Sequence, residues 1–225
     1  MLLTIPGLLG QAQLNKIHQV LADMPFVDGK LTAGFAAARV KNNLEMQTDP
    51  TAMKLLIRIL TASLGHSETF RFAVLPRRVA DPIFARYQPG MSYGEHVDDP
   101  IMGSTGLRFR TDVAMTIFLN RPETYAGGEL AIQKTSFGEQ KFKLPAGDAV
   151  IYPASSLHQV TPVTLGERQV AVTWVQSYVR DPAQRELLYE LNLTREKLLK
   201  EAPDEKTTGY LNRSYANLLR MWAEV

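Results

Sequence analysis

The sequence predicts a mainly β protein of the α+β class, a strand-rich sandwich or barrel with flanking helices, and three observations predict it. Across residues 68–180 the apolar pattern falls to a period of two, with almost unbroken apolar runs at 113–119, 149–152 and 170–175. Turn residues interrupt this stretch at Gln88-Pro89-Gly90, 103–106, Asn120-Arg121-Pro122, Gly127-Gly128, 145–148 and Leu165-Gly166-Glu167. Many short strands with Gly/Pro turns favour a sandwich or barrel over βαβ units. On both sides of the stretch the period is that of a helix.

The elements follow in order, and they divide the chain into an N-terminal helical support (1–67), a strand-rich domain (68–180) and a C-terminal helical extension (181–225). The first ten residues are apolar like a signal peptide, but no basic residues precede the run and Pro6 and Gly7 break it, so they are assigned to the fold. Leu14, Ile17, His18 and Leu21 fall on one helix face. A second helix has Asp49 as its cap, Pro50 at its first position and a stripe of Met53, Leu56, Ile57, Leu60 and Leu64. Phe70, Phe72 and Val74 alternate as a strand would, as do Phe142 and Leu144. The three apolar runs read as central strands covered on both faces. Asp181-Pro182 opens the helical tail, carried by Leu187, Leu188, Leu191, Leu198 and Leu199 and then by Tyr215, Leu218, Leu219 and Trp222, with a break at 203–209. The tail either covers the barrel or forms a homo-oligomer seam, and the sequence leaves both open.

Composition narrows the function. The chain has 225 residues, 45% hydrophobic and 21% charged, enough to bury a sizeable core. A net charge of +2 gives no reason to expect a nucleic-acid or membrane-surface partner. With no cysteine, disulfides, zinc-thiolate sites, cysteine-ligated clusters and cysteine nucleophiles are excluded. No apolar run reaches the roughly 18 residues of a membrane span, so a cytoplasmic protein is the expectation.

Four histidines are present: His18, His66, His96 and His158. His96 and Asp98 are two apart, which puts both side chains on one face of an extended segment. Glu95 and Asp99 fall on the other face by the same alternation. His158 follows the apolar run at 149–152. Two imidazoles and a carboxylate on a β scaffold form the facial triad that suits non-haem Fe(II), leaving positions open for a cosubstrate and O2. Ten residues past His158 lies Arg168, at the head of a central apolar strand. A buried guanidinium needs an anion, and its planar fork matches a carboxylate, so Arg168 suits a dicarboxylate cosubstrate. His18 and His66 read as helix residues, and the arginines 77, 78, 108 and 110 as scattered surface charges.

With these residues in place, the sequence resembles the Fe(II)/2-oxoglutarate-dependent dioxygenases of the prolyl 4-hydroxylase type and, more closely, the bacterial PKHD-type hydroxylases. The resemblance also runs through Thr32-Ala33-Gly34, Val40-Lys41-Asn42-Asn43, Arg86-Tyr87, Tyr93-Gly94-Glu95-His96-Val97-Asp98, Gly127-Gly128-Glu129-Leu130, the residues 157–163, Gly166-Glu167-Arg168 and the helical tail. It implies a double-stranded β-helix (jelly-roll, cupin-like) core with iron on His96, Asp98 and His158. It also implies that Arg168 holds the distal carboxylate of 2-oxoglutarate, that Tyr87 and Tyr93 flank the cosubstrate, and that Trp174 lies near it. The implied reaction hydroxylates a peptidyl proline or a small metabolite while 2-oxoglutarate is decarboxylated to succinate, with L-ascorbate dependence. An association with iron uptake points weakly to a siderophore-related substrate.

One position departs from the pattern: Phe118 stands where several prolyl-hydroxylase relatives have a tyrosine, and Thr116 or Thr173 is the expected replacement hydroxyl. Two other readings stand beside the oxygenase: a non-catalytic β-helix that binds or senses a metal or small ligand, and a zinc hydrolase on the same triad. Neither gives Arg168 a task.

Overall fold

The computed structural model describes residues 1–35, 37–135 and 138–225. Two antiparallel sheets face each other at its centre. Across the larger, eight-stranded sheet run Leu3–Ile5, Ala149–Pro153, Val113–Phe118, Arg168–Ser177, Ile83–Tyr87, Leu44–Met46 and Phe26–Asp28, with Pro76–Val79 also paired to Arg168–Ser177. The smaller sheet has five strands in the order Gly138–Phe142, Leu130–Thr135, His158–Val160, Ser92–His96 and Lys41–Asn42. Two such sheets closed around a shared core form the double-stranded β-helix, or jelly roll.

The three apolar runs lie side by side in the larger sheet, and their side chains alternate between two cores. Met115, Ile117, Ile151, Ala171 and Val175 pack with Leu14, Ile17 and Leu21 of helix α1 (Gln11–Ala22) and with Leu56, Leu60 and Leu64 of α2 (Pro50–His66). Ala114, Phe118, Val150, Tyr152 and Val170 pack with Leu130, Ile132 and Val160 of the smaller sheet. Both faces are covered, which is why these strands show no polar alternation. Helix α2 begins as its sequence predicts: the Asp49 carboxylate accepts from the Ala52 N–H at 2.7 Å, and Pro50 occupies the first turn.

Three expectations need correction. Phe70, Phe72 and Val74 belong to a helix, α3 (Glu68–Val74), not to a strand. Phe70 and Val74, four apart, share a face in a helix as well as in a strand, Phe72 falls off that helix face, and the Ser67 hydroxyl, accepting from the Phe70 N–H at 3.2 Å, caps the helix. The N-terminal 67 residues are not purely helical. They supply Leu3–Ile5, Phe26–Asp28, Lys41–Asn42 and Leu44–Met46, strands of two or three residues that are too short to display a period. The break in the tail falls before Lys206, so Gly209 lies inside a helix.

The tail consists of α4 (Pro182–Glu201), capped by Asp181, and α5 (Lys206–Trp222). It packs on the barrel. Arg185 is buried and donates to the Val179 and Arg180 carbonyls, each at 2.8 Å, while Arg110 pairs with both Asp112 and Glu224. Among the described residues no helix is long and apolar enough to cross a membrane.

Candidate metal centre

His96 ends one strand of the smaller sheet and His158 begins its neighbour, and the two are direct cross-strand partners. Asp98 follows just past the strand end. His96 Nε2 lies 4.0 Å and His158 Nε2 3.8 Å from Asp98 Oδ1, and one ligand atom from each of the three falls within 4.8 Å of the others. Each ring is fixed from behind: His96 Nδ1 lies 2.8 Å from the Gly94 carbonyl, and His158 Nδ1 lies 3.0 Å from the Ser156 carbonyl. A carbonyl can only accept, so Nδ1 carries the proton and the Nε2 lone pair points at Asp98. The Tyr93 ring stacks on His96 at 3.7 Å between centroids, nearly parallel at 11°.

The electrostatics suit a cation. Burial, and then the charge of His158, lower the His96 pKa to about 4, so the imidazole is neutral at neutral pH. Burial raises the Asp98 pKa, opposed by His158 and by the Trp174 indole N–H beside the carboxylate. Asp98 Oδ2 and Trp174 Nε1 are both buried with no hydrogen bond of ordinary geometry among the described residues. Glu95 and Asp99 are exposed, in keeping with their alternation. His18 and His66 are tied to backbone carbonyls, of Leu119 at 2.7 Å and of Ala62 at 2.6 Å.

Arg168 opens its strand in register with Tyr87 and is only 1% exposed. Its guanidinium lies 5.0 Å from the centre of the Tyr87 ring and 5.6 Å from that of Phe118. Its Nε and Nη1 are buried without a partner among the described residues, and so is the Tyr125 hydroxyl. That hydroxyl lies beside Arg168, whose charge works against the rise that burial gives the phenol pKa. Orphaned donors of this kind are costly unless an anion meets them. Gly128 makes room for both groups: at φ +68°, a Cβ there would stand 3.0 Å from Arg168 Cδ and 3.3 Å from Tyr125 Cε2.

Of the two hydroxyls expected to replace the one missing at Phe118, Thr173 is already engaged elsewhere. It donates to the Ala80 carbonyl at 2.8 Å, on the strand face away from Arg168. Thr116 is within hydrogen-bonding reach of the Tyr152 hydroxyl. Tyr125 is the residue that the sequence did not single out; its one signal is its place just before the Gly127-Gly128 turn. His96, Asp98, His158, Arg168, Tyr87, Tyr93 and Trp174 all border one cavity.

This fold and cavity agree with the class to which the chain is similar: residues 82–176 match the 2OG-Fe(II) oxygenase superfamily. Residues 182–224 match the PKHD-type hydroxylase C-terminal domain. The chain is 54% identical to a PKHD-type hydroxylase of Thioalkalivibrio sulfidiphilus over all of both chains, and it belongs to the PKHD-type hydroxylase family. Among solved structures it is similar to a Trichoplax adhaerens prolyl hydroxylase in complex with a hypoxia inducible factor peptide (TM-score 0.57, 16% identity, 83% of this chain and 86% of that one). It is also similar to HygX of Streptomyces hygroscopicus with nickel and 2-oxoglutarate bound (TM-score 0.52, 16% identity, 79% and 84%). These two likenesses show the shared fold.

Proposed function

We propose that this PKHD-type hydroxylase holds Fe(II) on His96, Asp98 and His158, holds the distal carboxylate of 2-oxoglutarate on Arg168 and Tyr125, and couples decarboxylation of 2-oxoglutarate to succinate with hydroxylation of an organic substrate. The observation that carries the reading is Arg168, fully buried and bordering the same cavity as the triad, with two donor nitrogens that have no partner among the described residues. A zinc hydrolase or a metal sensor has no use for it. Bound iron with 2-oxoglutarate and O2 would supply the oxidising chemistry. HygX, similar in fold, has nickel and 2-oxoglutarate bound together.

The chain's own residues orient and exclude. The carbonyls of Gly94 and Ser156 hold both imidazoles in the ligating tautomer. The Trp174 indole N–H beside Asp98, after the charge of His158, works against the rise that burial gives the carboxyl pKa. Tyr87, its pKa pushed up to about 12 by burial, stays neutral and so adds no second anion beside Arg168. Tyr93 braces His96 by stacking. The oxygenase chemistry is assigned to 68–180, with 1–67 and 181–225 as supports, and ascorbate is assigned the role of keeping iron reduced.

The test supplies metal-free protein with Fe(II), 2-oxoglutarate and O2, with and without ascorbate, and follows succinate. Wild type should form it, with less lost on repeated turnover when ascorbate is present, while His96→Ala and Arg168→Ala should form at least about 100-fold less. Succinate formed equally by Arg168→Ala, or formed with zinc in place of iron, would overturn the assignment.

A further inference from the structure

Part of the same cavity wall is polar and has no task in holding iron or 2-oxoglutarate. Residues 29–45 build it. Lys41–Asn42 pairs with Ser92–His96 in the smaller sheet, whereas Leu44–Met46 pairs with Ile83–Tyr87 in the larger. The chain therefore crosses between the sheets at Asn43. Lys41, Asn43 and Glu45 are buried, at 6%, 3% and 3% exposure, and all three line the cavity together with Thr32. Lys41 Nζ lies 2.5 Å from Glu45 Oε1 and donates to Thr32 Oγ1 at 3.1 Å, and the Thr32 hydroxyl donates to Glu45 Oε2 at 2.5 Å.

A buried ion pair kept only for stability is replaceable by packed apolar side chains. This one faces a cavity and leaves groups unsatisfied. An ammonium has three N–H donors, and Glu45 and Thr32 take two of them. Asn43 Oδ1 is buried with no partner among the described residues. Gly29 packs its bare Cα against one side of that oxygen, where a Cβ would stand 1.9 Å away, and the Asn43 amide also lies beside the Tyr87 hydroxyl. The charges of Lys41 and Glu45 cancel, so an ionic group entering here would lose its hydration without meeting a counter-charge. A neutral group with an acceptor beside a donor satisfies both free positions.

We propose that Lys41 and Asn43, braced by Glu45 and Thr32, form a subsite for an amide-type group of the substrate, its carbonyl accepting from Lys41 and its N–H donating to Asn43. Apolar substituents on that amide agree with the wall beside it, where Ala33 and Ala37 of this segment and the half-exposed Val97 after His96 border the cavity. The two segments meet at Gly34, where a Cβ would lie 2.7 Å from Asp99 Oδ2. The subsite deepens the oxygenase reading, which supplies the reaction that the amide-bearing substrate undergoes.

The test uses full-length protein loaded with Mn(II), which broadens the NMR signals of any small molecule held in the cavity. Three probes of one shape and different charge are titrated with and without 2-oxoglutarate: N-acetyl-L-leucine methylamide (neutral), N-acetyl-L-leucine (anionic) and L-leucine methylamide (cationic). The neutral diamide should bind at least about tenfold more tightly than either charged probe. Asn43→Ala and the charge-free double variant Lys41→Met/Glu45→Leu should each remove that preference, with 2-oxoglutarate binding retained as the sign of a folded protein. Equal binding of the three probes, tighter binding of a charged one, no binding of the diamide at millimolar concentration, or an unchanged ranking in both variants would overturn the proposal. If wild type fails to bind 2-oxoglutarate, the oxygenase assignment falls, and the ranking without it still decides the subsite.

Discussion

Phe118 lies 5.6 Å from the Arg168 guanidinium with no hydroxyl to offer, and Tyr125 brings one from a separate two-stranded sheet. Hydrogen bonds to charged groups contribute about 1.5–3 kcal/mol. Tyr125→Phe is therefore expected to raise the 2-oxoglutarate dissociation constant about 10- to 100-fold, measured anaerobically on the Fe(II) form. Thr173→Val, on the far face of its strand, should leave that constant alone; the reverse pattern would return the role to Thr173. The triad and Arg168 were legible in the sequence because each is a residue type with narrow chemistry at a spacing that implies a shared face. A lone tyrosine carries no such mark. Lys41 and Glu45, four apart, look like an exposed helical pair in sequence, and only the crossing between sheets buries them.

Among the elements, those that were legible have many residues and a cap. The central strands and α2 repeat their period several times, and Asp49 and Asp181 mark where helices start. Helix α3 has only seven residues and one ambiguous apolar triplet, so its Ser67 cap decided what periodicity did not. The strands of two or three residues near the N-terminus form only because the sheets are there to pair with them. The tail is locked by Arg185, which burial holds below the usual arginine pKa and which satisfies the carbonyls of Val179 and Arg180. Each buried carbonyl left without a donor costs about 1–3 kcal/mol. Arg185→Met should thus lower stability by about 2–5 kcal/mol in denaturant unfolding and speed proteolysis of α4 and α5. A change below about 0.5 kcal/mol would show that the clasp is not what holds the tail.

At the scale of the molecule, two sheets enclose the cavity while three helices back the larger sheet, so the two imidazoles of the candidate metal centre are held by paired strands rather than by loops alone. A preformed site should couple metal binding to stability. At a metal concentration about 100 times the dissociation constant, the gain is about 2.7 kcal/mol, or a rise in Tm of about 5–10 °C for a chain of this size. Mn(II) should produce that rise in wild type, chelation should reverse it, and His96→Ala should abolish it; an equal rise in His96→Ala would place the metal elsewhere.

The proposed site brings iron and 2-oxoglutarate together in this cavity, one on the triad and the other on Arg168. Anaerobic titration of the Fe(II) protein with 2-oxoglutarate, followed by the visible charge-transfer absorption between them, tests it most directly. Wild type should give a saturable band, His96→Ala none, and Arg168→Met a band only at concentrations at least about 100-fold higher. A wild-type protein that gives no band at saturating 2-oxoglutarate, or an Arg168→Met protein that titrates like wild type, would contradict it.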